Sequence, residues 1–304
     1  MKIFVYSDNS ILTNELVGGA IELMGKNAEV TAIVSSDKAS MVKGAHRVLA
    51  VEIPSDVSVD AISTTITSIV QEGEQALFLI GSTINGRSVA ARISAAFCTS
   101  AIHDAKSISV EEGRVQALQI VFGGAVRQVV EGKSPVIVIT VPGGVFEAVA
   151  GDSVTPEPLT WVDPPITVSK KKSLPKQRSV KDITSAKVVV CGGAGLKTSE
   201  DRALIEGLAE ALEGVTGCTR PLTEGADALF KGERYIGCSG VEVRPDLYIG
   251  VGVSGQIQHI ASVGEAKVLV GINADKNAPL FRYSDYGIVG DFQEIIPALI
   301  AAIR

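Results

Sequence analysis

The stretch AKVVVCGGAGLKTSEDRALIEGLAEAL, residues 186–212, contains a whole strand, loop and helix. Val188, Val189, Val190 and Cys191 form an apolar run without alternation, as strands do in parallel sheets covered on both faces. Gly192, Gly193 and Gly195 make the turn, and Leu204, Leu208, Ala211 and Leu212 recur behind it with helical period. Further strands are predicted at Asp246–Val253 (DLYIGVGV) and Ala266–Asn273 (AKVLVGIN), with a closing helix near Asp291–Ile303. Small and polar residues at three strand ends mark the usual place for a ligand in an open parallel sheet.

The same rhythm fills the N-terminal half. Strands are predicted at Lys2–Tyr6, Glu29–Val34, Arg47–Val51, Ala76–Gly81 and Val136–Val141, and helices near Leu12–Met24, Asp37–Gly44, Val59–Gln71 and Gly86–Phe97. Such alternation implies right-handed βαβ units with helices on both sheet faces. Alternating residues between Ser107 and Val130 interrupt it and predict an antiparallel excursion. The run TPEPLTWVDPPITVSKKKSLPKQRSV, residues 155–180, holds five prolines and reads as an extended connector. The chain is therefore predicted to be α/β in two domains, 1–165 and 186–304, joined by a basic Pro/Lys linker over 166–185.

Composition agrees with two packed domains: 304 residues, 46% of them hydrophobic. The net charge of −6 argues against nucleic acid as partner. Its distribution is uneven, with net charges of −7 over residues 1–169, +5 over 170–182 and −4 over 183–304, which suits a solvated linker better than a binding face. Cys98, Cys191, Cys218 and Cys238 have no metal-ligand spacing and read as reduced, buried thiols. The opening MKIFVYSDNS enters a strand pattern directly, and no apolar run reaches the ~18–20 residues of a membrane span, so a cytoplasmic location is expected.

Chemistry concentrates in the second half. The Gly192–Gly195 loop reads first as a tight turn and second as a phosphate approach. Gly252–Val253–Ser254–Gly255–Gln256–Ile257–Gln258–His259 follows a strand and opens a helix, with Ser254 as the predicted N-cap, and forms an anion cradle suited to a pyrophosphate. His259 lies within reach of the same ligand. Arg220, ahead of Pro221, is predicted to project from a strand end, and Ser239, Asn273 and Asp291 fall at the same sheet edge. Paired catalytic carboxylates, a GxSxG elbow and a Walker loop are all missing from the sequence, so a bound cofactor is expected to do the chemistry.

At these residues the sequence resembles the α subunit of electron transfer flavoprotein, in its bacterial FixB-like branch. The resemblance is carried by PDLYIGVGVSGQIQHIASVGEAKVLVGINADKNAPLFRYSDYGIVGD, Pro245 to Asp291, with GGAGLKTSED, CTRP and ERYIGCSG; the first half agrees in layout and in GRSVAARISAAF and FGG. It implies a nucleotide-hydrolase-like α/β N-terminal domain that contacts a β subunit, and a Rossmann-like C-terminal domain that binds FAD. Electrons would pass from flavin dehydrogenases such as acyl-CoA dehydrogenase to a membrane quinone reductase or another acceptor. By the same resemblance, the FAD contacts are Thr219, Arg220 over the flavin ring, Gly237, Cys238, Ser239 at its N5 edge, and Ser254, Gly255, Gln256, Ile257 and Gln258. His259 would meet the O2 side, the Ser254–His259 turn the pyrophosphate, and Asn273 and Asp291 the adenosine half, with Phe292 a further FAD contact.

A guanidinium and an imidazole near the pyrimidine edge would stabilise the half-reduced, anionic flavin, as a carrier requires. The chain departs from the family at Ala194, where many members have arginine, at Cys238, commonly glutamine, and at Ser239, commonly threonine. Two alternatives stay open: a bifurcating, NADH-dependent form of the same complex, and a non-redox nucleotide-binding module that has lost FAD. A stand-alone Rossmann dehydrogenase fits worst, for want of GxGxxG with a downstream acid.

Overall fold

The computed structural model describes residues 1–25, 29–166, 168–172, 182–225 and 228–303. They group into two compact units, Met1–Val121 with Arg127–Pro175, and Phe122–Val126 with Lys176–Arg304. Of the predicted linker, residues 167 and 173–181 lie outside the described residues.

The first unit runs β1 (Lys2–Tyr6), α1 (Ser10–Met24), β2 (Val30–Ser35), β3 (Arg47–Val51), α2 (Ile62–Thr67), β4 (Ala76–Gly81), α3 (Ile84–Ala96), β5 (Ala101–Ile102), β6 (Ser107–Glu111), β7 (Arg114–Val121), β8 (Val126–Gly132), β9 (Val136–Val141) and β10 (Glu157–Leu159). Seven strands form one sheet in the order β10-β3-β2-β1-β4-β9-β5, and each pairing is parallel. Its inner strands β2, β1, β4 and β9 are almost wholly buried because both faces are covered. On β1, Ile3 and Val5 enter the core that holds Leu16 of α1, while Phe4 and Tyr6 enter the core that holds Ile62 of α2 and Ile93 of α3. The predicted excursion is a separate sheet ordered β6-β7-β8, with β6 and β7 antiparallel.

Three local expectations are corrected. Asp37–Gly44 is a 3₁₀ turn over Ser36–Met41, and Val59–Gln71 is a 3₁₀ turn at Val59–Ala61 followed by the six residues of α2. Hydroxyl side chains compete there for helix carbonyls: Thr67 Oγ1 donates to Thr64 O at 2.9 Å and Ser68 Oγ to Thr65 O at 2.8 Å. Within the proline-rich connector, Glu157–Leu159 pairs with β3 as an edge strand, where Pro158 is tolerated, so that part belongs to the sheet.

The second unit runs β11 (Val188–Gly192), α4 (Ser199–Ala211), β12 (Val215–Cys218), β13 (Leu247–Val251), α5 (Ile257–Ile260), β14 (Val268–Asn273), β15 (Tyr286–Val289) and α6 (Phe292–Ile303). Its sheet is parallel throughout, in the order β12-β11-β13-β14-β15. The order reverses between β11 and β13, and beyond the carboxyl ends of such a pair an open sheet forms its ligand crevice. Ile205 and Leu208 of α4 and Ile296 of α6 cover one face; Tyr248, Ile260 and Leu280 fill the other.

A capping box starts α4, with Thr198 Oγ1 accepting from Asp201 N at 3.2 Å and Asp201 Oδ2 accepting from Thr198 N at 3.0 Å. Asp201 also accepts from Lys197 N and from Gln293 Nε2, both at 2.7 Å, which ties α4 to α6. Burial pushes its carboxyl up, but these hydrogen bonds outweigh burial and hold it below the usual carboxylate range. Among the described residues, no helix is long and apolar enough to cross a membrane.

Candidate functional site

A cavity of about 480 Å³ lies at the carboxyl ends of β12, β11 and β13, where the strand order reverses. Ten of the sequence-predicted residues line it: Thr219, Arg220, Gly237, Cys238, Ser239, Ser254, Gly255, Gln256, Gln258 and His259. Ala194, Pro221, Tyr235, Ile236 and Val253 complete the wall. Ile257, Asn273, Asp291 and Phe292 are not part of it.

Two glycine loops cross beneath the cavity. Gly193 N donates to Val251 O at 2.8 Å and Gly195 N to Gly252 O at 3.1 Å. A Cβ on Gly193 would stand 2.2 Å from Gly252 O, and one on Gly195 2.9 Å from Gly252 Cα. The first loop is thus a tight backbone crossing, and these two N–H groups are engaged there rather than free for a phosphate.

The second loop turns through left-handed backbone at Gly252 (φ +61°) and Gly255 (φ +79°), and a Cβ on Gly255 would sit 2.3 Å from Leu280 N. Ser254 is not the cap: α5 starts at Ile257, with Gln256 at the N-cap position and no side-chain bond. The first intrahelical donors are His259 N and Ile260 N, both to Gln256 O, so the N–H groups of Ile257 and Gln258 have no intrahelical partner. Asn273 braces this turn from the end of β14, with Nδ2 donating to Val253 O and Oδ1 accepting from Asp275 N, both at 2.9 Å. Gly290 N reaches Asn273 O at 3.1 Å; the neighbouring Asp291 accepts from Gln293 N at 2.8 Å at the start of α6, and Phe292 packs on the core below.

Among the polar side chains, Arg220 follows β12 and is exposed, and its Nε donates to Glu224 Oε1 at 2.6 Å, a bond that raises the guanidinium pKa further. Ser239 Oγ and Tyr235 Oη lie 3.2 Å apart. The Tyr235 ring crosses its own loop so closely that a Cβ on Gly237 would meet its Oη at 2.5 Å. Tyr235 was missed as a wall residue, although ERYIGCSG places an aromatic directly before the glycine turn.

His259 is held at both ring nitrogens. Its Nε2 lies 2.6 Å from Tyr248 Oη and its Nδ1 3.2 Å from Ile236 O. Burial pulls its pKa down to about 4, against the Ile236 carbonyl, which favours the N–H. The ring is a neutral imidazole near pH 7. The thiols divide as well: Cys191 and Cys218 are buried, while Cys98 and Cys238 are exposed, contrary to expectation. Cys238 Sγ lies 3.2 Å from Gln258 O, on the cavity wall.

Among the described residues, the wall offers the hydroxyls of Thr219, Tyr235, Ser239 and Ser254, the amides of Gln256 and Gln258, and one guanidinium, and no carboxylate. This donor-rich surface suits an anionic or acceptor-edged ligand. His259 has both ring nitrogens committed and cannot serve as a general base in this arrangement.

Residues 182–264 match the electron transfer flavoprotein FAD-binding domain, and residues 8–178 match the electron transfer flavoprotein domain. The chain is 34% identical over 309 residues to YdiR of Escherichia coli K12, covering 99% of this chain and 98% of that relative. It is 33% identical over 308 residues to the FixB proteins of Escherichia coli O139:H28 and of Shigella dysenteriae serotype 1, with the same coverage. The chain belongs to the electron transfer flavoprotein α-subunit family.

Proposed function

We propose that this α subunit holds FAD in the cavity of its second unit and, as a cytoplasmic heterodimer with a β subunit, carries electrons from flavin dehydrogenases such as acyl-CoA dehydrogenase to a membrane quinone reductase. The observation that supports this most is the cavity where the strand order reverses, whose described lining residues are rich in donors and include no carboxylate. Those residues fit the group: the turn from Val253 to Gln256 lines the cavity, and the N–H groups of Ile257 and Gln258 at the start of α5, without an intrahelical partner, would serve a diphosphate.

Bound there, FAD would supply one-electron chemistry. The chain's own part is to bind and tune. Arg220 supplies positive charge, Ser239 a hydroxyl held by Tyr235, and Gln256 and Gln258 amide donors, while Asn273 holds the turn in shape. The site residues in this role, including Ile257, Phe292 and, toward the adenosine half, Asp291, are part of the proposal. An electron carrier needs no proton-transfer base, and the wall provides none.

A second reading, the non-redox nucleotide module, draws on one observation: Ala194 lacks a cationic side chain, and the N–H groups of Gly193 and Gly195 are already engaged. The deciding experiment is a visible absorption spectrum of the chain co-expressed with its β subunit, followed by stepwise dithionite reduction. A flavin spectrum that bleaches in two one-electron stages supports the carrier. A complex that stays colourless after FAD is added, yet binds adenine nucleotide, supports the module.

A further inference from the structure

Tyr248 lies mid-strand in β13, the central strand of the second sheet, with no exposed surface, and His259 is only 8% exposed. Their rings are tilted by 54° with centroids 6.0 Å apart, so the pair meets through the 2.6 Å Oη to Nε2 hydrogen bond and not by stacking. A carbonyl oxygen only accepts, so His259 Nδ1, 3.2 Å from Ile236 O, carries a proton. In so buried a place a second ring proton would leave a cation without a partner carboxylate on the cavity wall, and Nε2 is therefore the acceptor and Tyr248 the donor. The phenol hydroxyl, which a buried tyrosine must satisfy, gives its one proton to this ring and is left to accept from the buried Cys191 thiol of β11, with which it also hydrogen-bonds.

We infer that Tyr248 is a positioning residue for electron transfer: its hydroxyl holds His259 as the neutral Nδ1–H tautomer, so that the charge answering a reduced ligand comes from Arg220 and not from an imidazolium. This rests on the flavin reading of the cavity. Removing the hydroxyl frees the still neutral ring to carry its proton on Nε2 instead of Nδ1, and an N–H in place of a lone pair beside the cavity favours the reduced, more negative ligand.

The test uses the full chain with its β subunit, loaded with FAD and labelled with ¹⁵N-histidine. Wild type is expected to show one protonated imidazole nitrogen, Nδ1, at His259 near neutral pH, assigned by loss of the signal in His259→Gln. Tyr248→Phe is expected to alter that pattern and to raise the ratio of reduced to oxidised flavin about tenfold at a fixed potential, equivalent to ~59 mV for a one-electron couple. The shift should vanish when Tyr248→Phe is made in the His259→Gln background. The inference is overturned by a wild-type His259 that is Nε2-protonated or doubly protonated, by no shift in Tyr248→Phe, or by an equal shift in both backgrounds. Should Tyr248→Phe fail to fold, the wild-type tautomer decides alone. A complex that takes up no flavin, seen by absent absorbance, overturns the flavin reading and this role with it.

Discussion

Arg220 Nε donates to Glu224 Oε1 at 2.6 Å, so the guanidinium on the cavity wall already has a carboxylate attached. Both side chains are more than half exposed, and such pairs exchange readily. Glu224→Gln is expected to free the guanidinium, tighten FAD binding several-fold and raise the flavin potential. Arg220→Ala should do the reverse, with about tenfold weaker binding. Fluorescence titration with FAD and spectroelectrochemistry check both; unchanged affinity in Arg220→Ala would remove Arg220 from the site.

The thiols give a footprint of the cavity. Burial pushes the Cys191 thiol up and the Cys218 thiol up to about 12, whereas Cys98 and Cys238 are exposed. A thiol reagent should label Cys98 and Cys238 in the folded, flavin-free chain, and FAD should protect Cys238 alone. Peptide mass mapping reads the outcome, and equal labelling of Cys238 with and without FAD would count against the site.

His259 makes stability depend on pH. Its folded pKa of about 4 lies below the ordinary value of 6.5, so the unfolded chain takes the proton first as pH falls. The cost is absent above about pH 6.5 and grows as pH falls toward 4, so that about 2 kcal/mol of stability is lost by about pH 5. Urea unfolding at several pH values should show wild type losing its margin over His259→Gln as the medium is acidified. Parallel pH curves for the two would contradict the buried neutral ring.

Gly255→Ala should destabilise the second unit by ~1–3 kcal/mol, because it combines left-handed backbone with a Cβ 2.3 Å from Leu280 N. FAD loading should fall with it. Thermal unfolding, compared with the flavin content of the purified complex, measures the two effects.

Asp201→Asn separates architecture from site. Asp201 is 3% exposed and accepts from Lys197 N, Thr198 N and Gln293 Nε2, so the change should cost about 1–3 kcal/mol. It lies away from the cavity lining, and the flavin potential should not move. A shifted potential would mean that α4 communicates with the cavity.

The sequence was most informative where one physical force acted alone. Lys2–Tyr6, Arg47–Val51, Ala76–Gly81 and Val136–Val141 were bounded to the residue, because strands buried on both faces are unbroken apolar runs. Helices were overestimated at Asp37–Gly44, which closes as a single 3₁₀ turn, and at Val59–Gln71, where the hydroxyls of Thr67 and Ser68 take helix carbonyls. Of the cavity wall, the Gly252–His259 run, Arg220 and Ser239 were legible as glycines and polar residues at strand ends, whereas Thr219, Gly237 and Cys238 came only with the resemblance. Its electrostatic state was not legible, since His259 is neutral through burial, in a place its ring takes only when held between Tyr248, eleven residues away, and the Ile236 carbonyl from a third segment. Pairings of that kind exist only after folding.

The crossing of the two glycine loops has an evolutionary corollary. Positions 193 and 195 face the backbone of Gly252 and tolerate no side chain, while Ala194 between them faces the cavity. The loop is thus a fixed frame around a single adjustable site, where an alanine can become an arginine without disturbing the strands behind it. Divergence within this lineage can retune the ligand's surroundings one residue at a time, and Ala194 is where that tinkering is cheapest.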